Sequence, residues 1–367
     1  MIINLGIDRP TRAEIDLSAF VGNYKKIKNN FSVMAMVKAN AYGHGITKIS
    51  RVLTDLNVDF LGVAYIEEAV YLRKQGIDVP ILVLGAINPN QLKDFIDWNI
   101  DITASSIEKL KAVDTIAKIC GKKARVHLKF DTGMERIGVH WYNANSMISV
   151  LKDLTNIDII GVFSHFSCSD TDEEFTNTQI SRFDNVVQSL NSSGLYAKYY
   201  HLSNSSGVKF EVPKYINMIR PGISLYGYGI SNLKPVMNFK TSVSYFKVVR
   251  KGNPISYNHT FTPNVDTRII TLPVGYGDGY MRALSNKSKV AIGDKLYPVV
   301  GNICMDQMMV DIGPEGTAYN GDEVLLFGGN GKLEISAEEL ASLAGTISYE
   351  LLCGISLRVP RVYLNKM

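Results

Sequence analysis

Eight apolar runs recur between residues 33 and 227, and this repetition constrains the fold more than any other feature of the chain. They are "VMAMV" (33–37), "FLGVAY" (60–65), "PILVLGA" (80–86), "DITAS" (101–105), "RVHLKFD" (125–131), "IIGVFSHF" (159–166), "AKYYHLS" (197–203) and "NMIRPGISLYG" (217–227). Most are continuous rather than alternating, as in strands buried on both faces. Amphipathic helical patterns lie between them, clearest at 106–120 and 178–190, and 66–76 ends in basic residues and a glycine. Eight strands alternating with helices predict an α/β fold, an N-terminal (β/α)8 TIM-type barrel. An open doubly wound sheet is the alternative, and eight regular units favour closure.

After about residue 235 the texture changes to short strands between Gly, Asn and Asp turns, in "TSVSYFKVVRKG", "TRIITLPVG", "SKVAIGDKLYPVVG" and "GDEVLLFGG". One helix, 336–345, opens with a serine cap and glutamates. The expected organisation is a barrel domain over 1–235 and a smaller, mainly β domain over 236–367, which suits a chain of 367 residues.

Charge excludes several classes of partner. The net charge of +4 is spread among Asp and Glu with no dense basic run, so neither nucleic acid nor a membrane surface is expected. No stretch reaches the roughly 18 apolar residues of a membrane span, and the N-terminus is a poor secretory signal. The four cysteines and six histidines form no ligand-spaced cluster, so no metal site is expected, and a reducing cytoplasm is the simplest setting.

Barrels of this kind gather their chemistry at the C-terminal ends of the strands. Lys38 ends the first run, in "AMVKANAYGHG", and His165 the sixth. Asn204 and Ser205 follow the seventh, Arg220, Gly222 and Ile223 the eighth, and Lys129 and Arg136 flank the exit of the fifth. Small residues and a hydroxyl after the last two strands suit phosphate oxygens. A phosphate site facing a lysine suggests pyridoxal 5′-phosphate, whose aldehyde condenses with an amine, although other phosphate ligands fit the pattern equally.

Further segments carry a resemblance. "AMVKANAYGHG", "DTGMERIGV", "SHF", "NSSG", "IRPGISLYG", "VGYGDGY", "GNICMDQMMVDI" and "YELLCGISLRVPR" resemble, in order, the alanine racemase family of fold-type III enzymes, over nearly the whole chain. The resemblance implies a pyridoxal-phosphate-dependent isomerase that interconverts L- and D-alanine with two bases, supplying D-alanine for cell-wall peptidoglycan. Lys38 would hold the cofactor and act as one base; Tyr276 would be the other. Tyr42, Ser205, Gly222 and Ile223 would bind the phosphate, with Asn204 either touching the cofactor or positioning the loop. His165 would lie near the ring, and Arg220 would face the pyridine nitrogen, where a permanent cation disfavours protonation. Arg136 and Met305 would hold the substrate carboxylate, with Asp306 in support. Lys129 matches a position often carried as a carbamate. Tyr276 and Met305 would come from the partner of a homodimer with shared active sites.

Reference pKa values of about 10 for Tyr and 10.4 for Lys are high for bases near neutrality, so nearby cations are expected to depress both. One departure stands out: Leu357 occupies the place of a family tyrosine in "ISLRVPR". It opens the alternative of relaxed or serine-directed specificity. A non-catalytic pyridoxal-phosphate-binding barrel protein is the rival from another class, but such proteins lack the second domain and Tyr276. A fold-type III decarboxylase would pair the pyridine nitrogen with a carboxylate, and a cofactor-free phosphosugar isomerase would show no cofactor absorbance.

Overall fold

The computed structural model describes residues 9–329 and 331–365. The chain forms two compact units: one spans Gly22–Ala41 and Ile46–Leu233, the other the residues up to Val21, Tyr42–Gly45 and Lys234 onward.

The first unit is a closed barrel of eight parallel strands: β1 Ser32–Met36, β2 Phe60–Val63, β3 Ile81–Val83, β4 Asp101–Ala104, β5 Ala124–Asp131, β6 Ile157–Phe163, β7 Tyr199–His201 and β8 Met218–Ile219. Each pairs with the next, and β8 returns to β1 through Met218↔Ser32 and Ile219↔Val33. All eight apolar runs are barrel strands. Met34, Phe60, Leu82 and Met218 pack together as one buried cluster, each such side chain contributing roughly 1.5–3 kcal/mol by leaving water.

The helices begin where their caps dictate. Ser106 Oγ accepts from the Lys109 N–H at 3.2 Å and starts Ile107–Ile119. The next predicted helix, expected from 178, starts earlier and runs Glu173–Ser192, because Asp172 caps it by accepting from the Phe175 N–H at 2.9 Å. Glu173 and Glu174 then favour the positive end of the helix dipole.

The second unit is built on a mainly antiparallel sheet. Its order is Tyr245–Val249, Thr267–Leu272, Met308–Gly313, Lys295–Val300, Lys289–Ile292, Glu323–Gly329, Met237–Ser242, Arg12–Asp16, Arg361–Leu364. Arg12–Asp16 thus lies between strands from the far end of the sequence, antiparallel to one and parallel to the other. Ala13, Ile15, Phe239 and Phe327 bury the inner face. On the other face Glu14 and Glu323 both bridge Arg12 and Lys240.

Candidate active site

Lys38 stands two residues beyond β1, and the chain after it turns left-handed. Ala39, Asn40, Ala41 and Tyr42 have φ of 51°, 55°, 53° and 51°, a conformation that costs L-residues roughly 1–2 kcal/mol each. Local bonds hold it: the Ala41 N–H donates to the Val37 carbonyl at 2.8 Å, and Asn40 Oδ1 accepts from the Ile46 N–H at 2.9 Å. The Glu68 carboxylate accepts from the N–H groups of Ala39 and Ala64 at 2.7 and 2.8 Å. Sequence reasoning expected a small-residue loop here and did not single out Glu68.

The loops after β7 and β8 form a donor-rich cradle. The N–H groups of Gly222 and Ser224 donate to Ser205 Oγ at 2.9 and 3.3 Å, and the Ser224 hydroxyl lies 3.0 Å from it. Ser205, Gly222 and Ile223 are buried. Asn204 turns the other way, its Oδ1 accepting from the Gly207 N–H and the Ser169 hydroxyl, each at 2.9 Å. These bonds tie Asn204 to its own loop.

Arg220 follows β8 and is almost wholly buried. Its Nη2 reaches His165 Nδ1 at 3.0 Å and the carbonyls of Ser164 and Leu202 at 2.7 and 3.1 Å, while Nη1 reaches His201 Nδ1 at 3.1 Å. Its neighbour Pro221 accepts from the Met36 N–H at 3.0 Å, which sets this segment against the end of β1 that delivers Lys38. Burial, then the like charge of Arg136, lowers the guanidinium pKa to about 9, still cationic at neutral pH. Burial, reinforced by Arg220, holds His165 well below its ordinary value, so it is neutral and accepts at Nδ1.

Lys129, in β5, is 3% exposed, and its Nζ has no hydrogen-bond partner, lying 4.9 Å from the centre of the Phe163 ring. Burial, with Arg220, pushes its pKa well below the usual lysine range. Asp131 shapes the following loop by accepting from the N–H groups of Gly133, Met134 and Arg136 at 2.8, 2.9 and 3.2 Å. Burial raises its pKa, but those bonds win and keep it below the usual range. Arg136 is exposed on that loop.

The remaining predicted residues belong to the β unit. Tyr276 opens a short turn, Tyr276–Asp278, and is 43% exposed; Met305 is 52% exposed. Two bonds join their segments, from the Tyr276 N–H to the Cys304 carbonyl at 3.1 Å and from Gly277 to Met305 at 2.9 Å. A Cβ on Gly275 would sit 2.2 Å from the Cys304 carbonyl oxygen, so only glycine permits this approach. Fully buried Asp278 pairs with Arg9 at 2.7 Å and Arg358 at 3.1 Å, and Arg358 also pairs with Asp306 at 2.7 Å. Leu357 precedes Arg358 on an exposed turn. Tyr42 is buried with its ring centre 6.0 Å from that of Tyr349, and burial raises its pKa.

The alanine racemase N-terminal domain family matches residues 15–229, and the alanine racemase C-terminal domain family matches 236–363. The chain belongs to the alanine racemase family. Alanine racemase 2 of Caldanaerobacter subterraneus subsp. tengcongensis is 40% identical, over 98% of this chain and 96% of that protein. The structure of alanine racemase from Clostridium difficile 630 superposes with a TM-score of 0.90 at 37% identity, covering 98% of this chain and 96% of that one. Alanine racemase from Bartonella henselae, with covalently bound pyridoxal phosphate, gives 0.88 at 27% identity, covering 97% and 100%.

Alanine racemases are pyridoxal-phosphate-dependent isomerases, and the barrel suits that group. The donors converging on Ser205 match a phosphate, Lys38 ends a strand at the same rim, and Arg220 is an acceptor-free cation suited to an unprotonated ring nitrogen. Asp131, Asp278 and Arg358 were not foreseen. The Asp-Thr-Gly of "FDTGM" was the available signal for Asp131, an Asx turn; the other two carry no local signature.

Proposed function

We propose that this chain interconverts L- and D-alanine with two opposed bases, Lys38 and Tyr276, as a cytoplasmic homodimer that supplies D-alanine for peptidoglycan. The observation that carries the reading is Arg220, a buried cation held by neutral histidines on the rim that also bears Lys38. When bound, pyridoxal phosphate supplies an electron sink for the substrate carbanion. Arg220 would face the ring nitrogen as a cation that disfavours its protonation, which would temper the sink and restrain side reactions. Tyr42, Ser205, Gly222 and Ile223 hold the phosphate.

Racemisation removes a proton from one face of Cα and returns one to the other. Lys38 Nζ serves one face and Tyr276 Oη the opposite face. Arg136 and the Met305 segment hold the carboxylate, with Asp306 fixed by Arg358 in support. Lys129 carries a carbamate: its neutral amine adds CO2, losing a proton, and the resulting anion pairs with Arg136. The partner subunit contributes Tyr276 and Met305. The exposed Phe246, Val248 and Tyr257 support a face covered by a second copy. So does a cleft of about 870 Å³ lined by Val248, Tyr257 and Cys304 beside the Met305 segment. Leu357, in place of the family tyrosine, relaxes discrimination against serine, with alanine remaining the best substrate.

The test is a racemisation assay on L-Ala, L-Ser and longer amino acids, with Lys38→Ala as control. Alanine should turn over fastest. The variant should lose turnover and borohydride-fixable cofactor, since the other lysine near a strand exit, Lys129, is buried and carries the carbamate. Wild-type turnover in Lys38→Ala would overturn the assignment.

A further inference from the structure

Arg220 makes no ion pair among the described residues, yet it is a buried cation. One line of hydrogen bonds leads away from it, down the inside of the barrel. Arg220 Nη1 lies 3.1 Å from His201 Nδ1, His201 Nε2 lies 2.9 Å from His127 Nδ1, and His127 Nε2 lies 3.3 Å from Asp101 Oδ2. Asp101 closes the line in a two-pronged pair with Arg125, at 2.7 and 3.0 Å. His127 and His201 are 0% exposed and Asp101 is 1% exposed. The members come from opposite ends of their strands: Asp101 opens β4, His127 sits inside β5, His201 closes β7 and Arg220 follows β8.

The chemistry of the two ends fixes the direction of every bond between them. A guanidinium only donates and a carboxylate only accepts. Arg220 therefore donates to His201 Nδ1, which must carry no proton. His201 Nε2–H then donates to His127 Nδ1, and His127 Nε2–H donates to Asp101. Any other tautomer sets two donors face to face inside the barrel, where an unmade bond costs most. Packing holds the rings in this arrangement. Phe163 stacks on His201 with centroids 4.7 Å apart and planes 7° apart, and a Cβ on Gly161 would lie 2.2 Å from His127 Nδ1.

We propose that Asp101 and His127 are positioning residues for Arg220. Through His201 they present it with a pure acceptor and so aim its remaining donors at the rim. The proposal rests on the reading that Arg220 faces the cofactor ring. Burial keeps both histidines neutral, in keeping with one proton on each ring.

The test joins ring-¹⁵N histidine NMR of the full-length holoenzyme with kinetics of His127→Phe and His127→Gln. In the wild type, His127 and His201 should both appear as Nε2–H tautomers. His127→Phe removes the acceptor for His201; it should mix the His201 tautomers and lower kcat about tenfold, the scale of losing an outer-layer partner, with KM changed less. His127→Gln restores a carbonyl acceptor and should recover most of kcat. An Nδ1–H or doubly protonated His201 in the wild type overturns the proposal, as does wild-type kcat in His127→Phe. If His127→Phe does not fold, the wild-type tautomers and His127→Gln still decide: a Gln variant no better than an inactive one overturns the rescue. A wild-type protein that shows both tautomers but racemises nothing overturns the activity and leaves the line standing as an anchor for Arg220.

Discussion

Lys129 combines three properties that rarely coincide in a lysine: burial, an unbonded amine and a strongly lowered proton affinity. A neutral buried amine is nucleophilic, and CO2 is small enough to reach it. ¹³C-bicarbonate should therefore give a carbamate carbon resonance that disappears in Lys129→Ala, and its absence from the wild type would leave the amine free. Leu357 calls for the opposite experiment, adding a group. If Leu357 stands where the family tyrosine does, Leu357→Tyr supplies a hydroxyl for the phosphate, a bond worth about 1.5–3 kcal/mol to a charged partner, and cofactor dissociation should slow. It also narrows the space for the substrate side chain. Apolar pockets separate one small group by about 10- to 200-fold, and the alanine-to-serine ratio of kcat/KM should rise at the low end of that range. An unchanged ratio with unchanged cofactor affinity would show that Leu357 does not stand in the tyrosine's place.

The left-handed turn after Lys38 is held by tertiary bonds against local preference, and two substitutions should move stability in opposite directions. Ala39→Gly removes a Cβ from an exposed residue at φ 51°; the relief of roughly 1–2 kcal/mol exceeds the added chain entropy of about 0.5–1 kcal/mol, giving a small net gain in the urea midpoint. Glu68→Gln leaves one of the N–H groups of Ala39 and Ala64 facing an amide donor and should cost about 1–2 kcal/mol. The same turn marks the limit of what was legible in the sequence. The barrel strands could be read because burial on both faces writes itself as continuous apolar runs, and Lys38, His165 and Arg220 because strand ends follow from those runs. No propensity predicts four successive L-residues at positive φ. Arg12–Asp16 was equally hidden, since "RAEID" is short and charged and its neighbours lie more than 200 residues away. The Asp101–His127–His201 line was invisible for a related reason: its members sit at the start, middle and end of different strands, and only barrel closure brings them together.

For the molecule as a whole, the buried His127 and His201 and the half-buried His165 set the acid limit. His127, His165 and His201 are held below their ordinary value, chiefly by burial. The unfolded chain therefore takes up protons first as pH falls below about 6.5, and stability drops by up to about 1.4 kcal/mol per histidine per pH unit. Above that pH the term is absent. Urea midpoints should thus fall steeply from pH 6.5 to 5.5 and change less from 8 to 7, where neutral Lys129, protonated in the unfolded chain, still contributes; a flat profile across the lower range would mean the histidines are solvated. The shared site has its own test. Mixing Lys38→Ala and Tyr276→Phe chains should regenerate one intact site per heterodimer, and no recovery after verified subunit exchange would count against sharing. Last, the barrel is spliced into the β unit, between Arg12–Asp16 and the remainder of its sheet. A nascent chain therefore synthesises this strand early, then the whole barrel, and only afterwards makes the neighbours it pairs with. Pairing at such sequence separation is slow. The barrel can condense on the ribosome while the first strand waits, and Arg361–Leu364, made near the end, is the piece that completes the sheet.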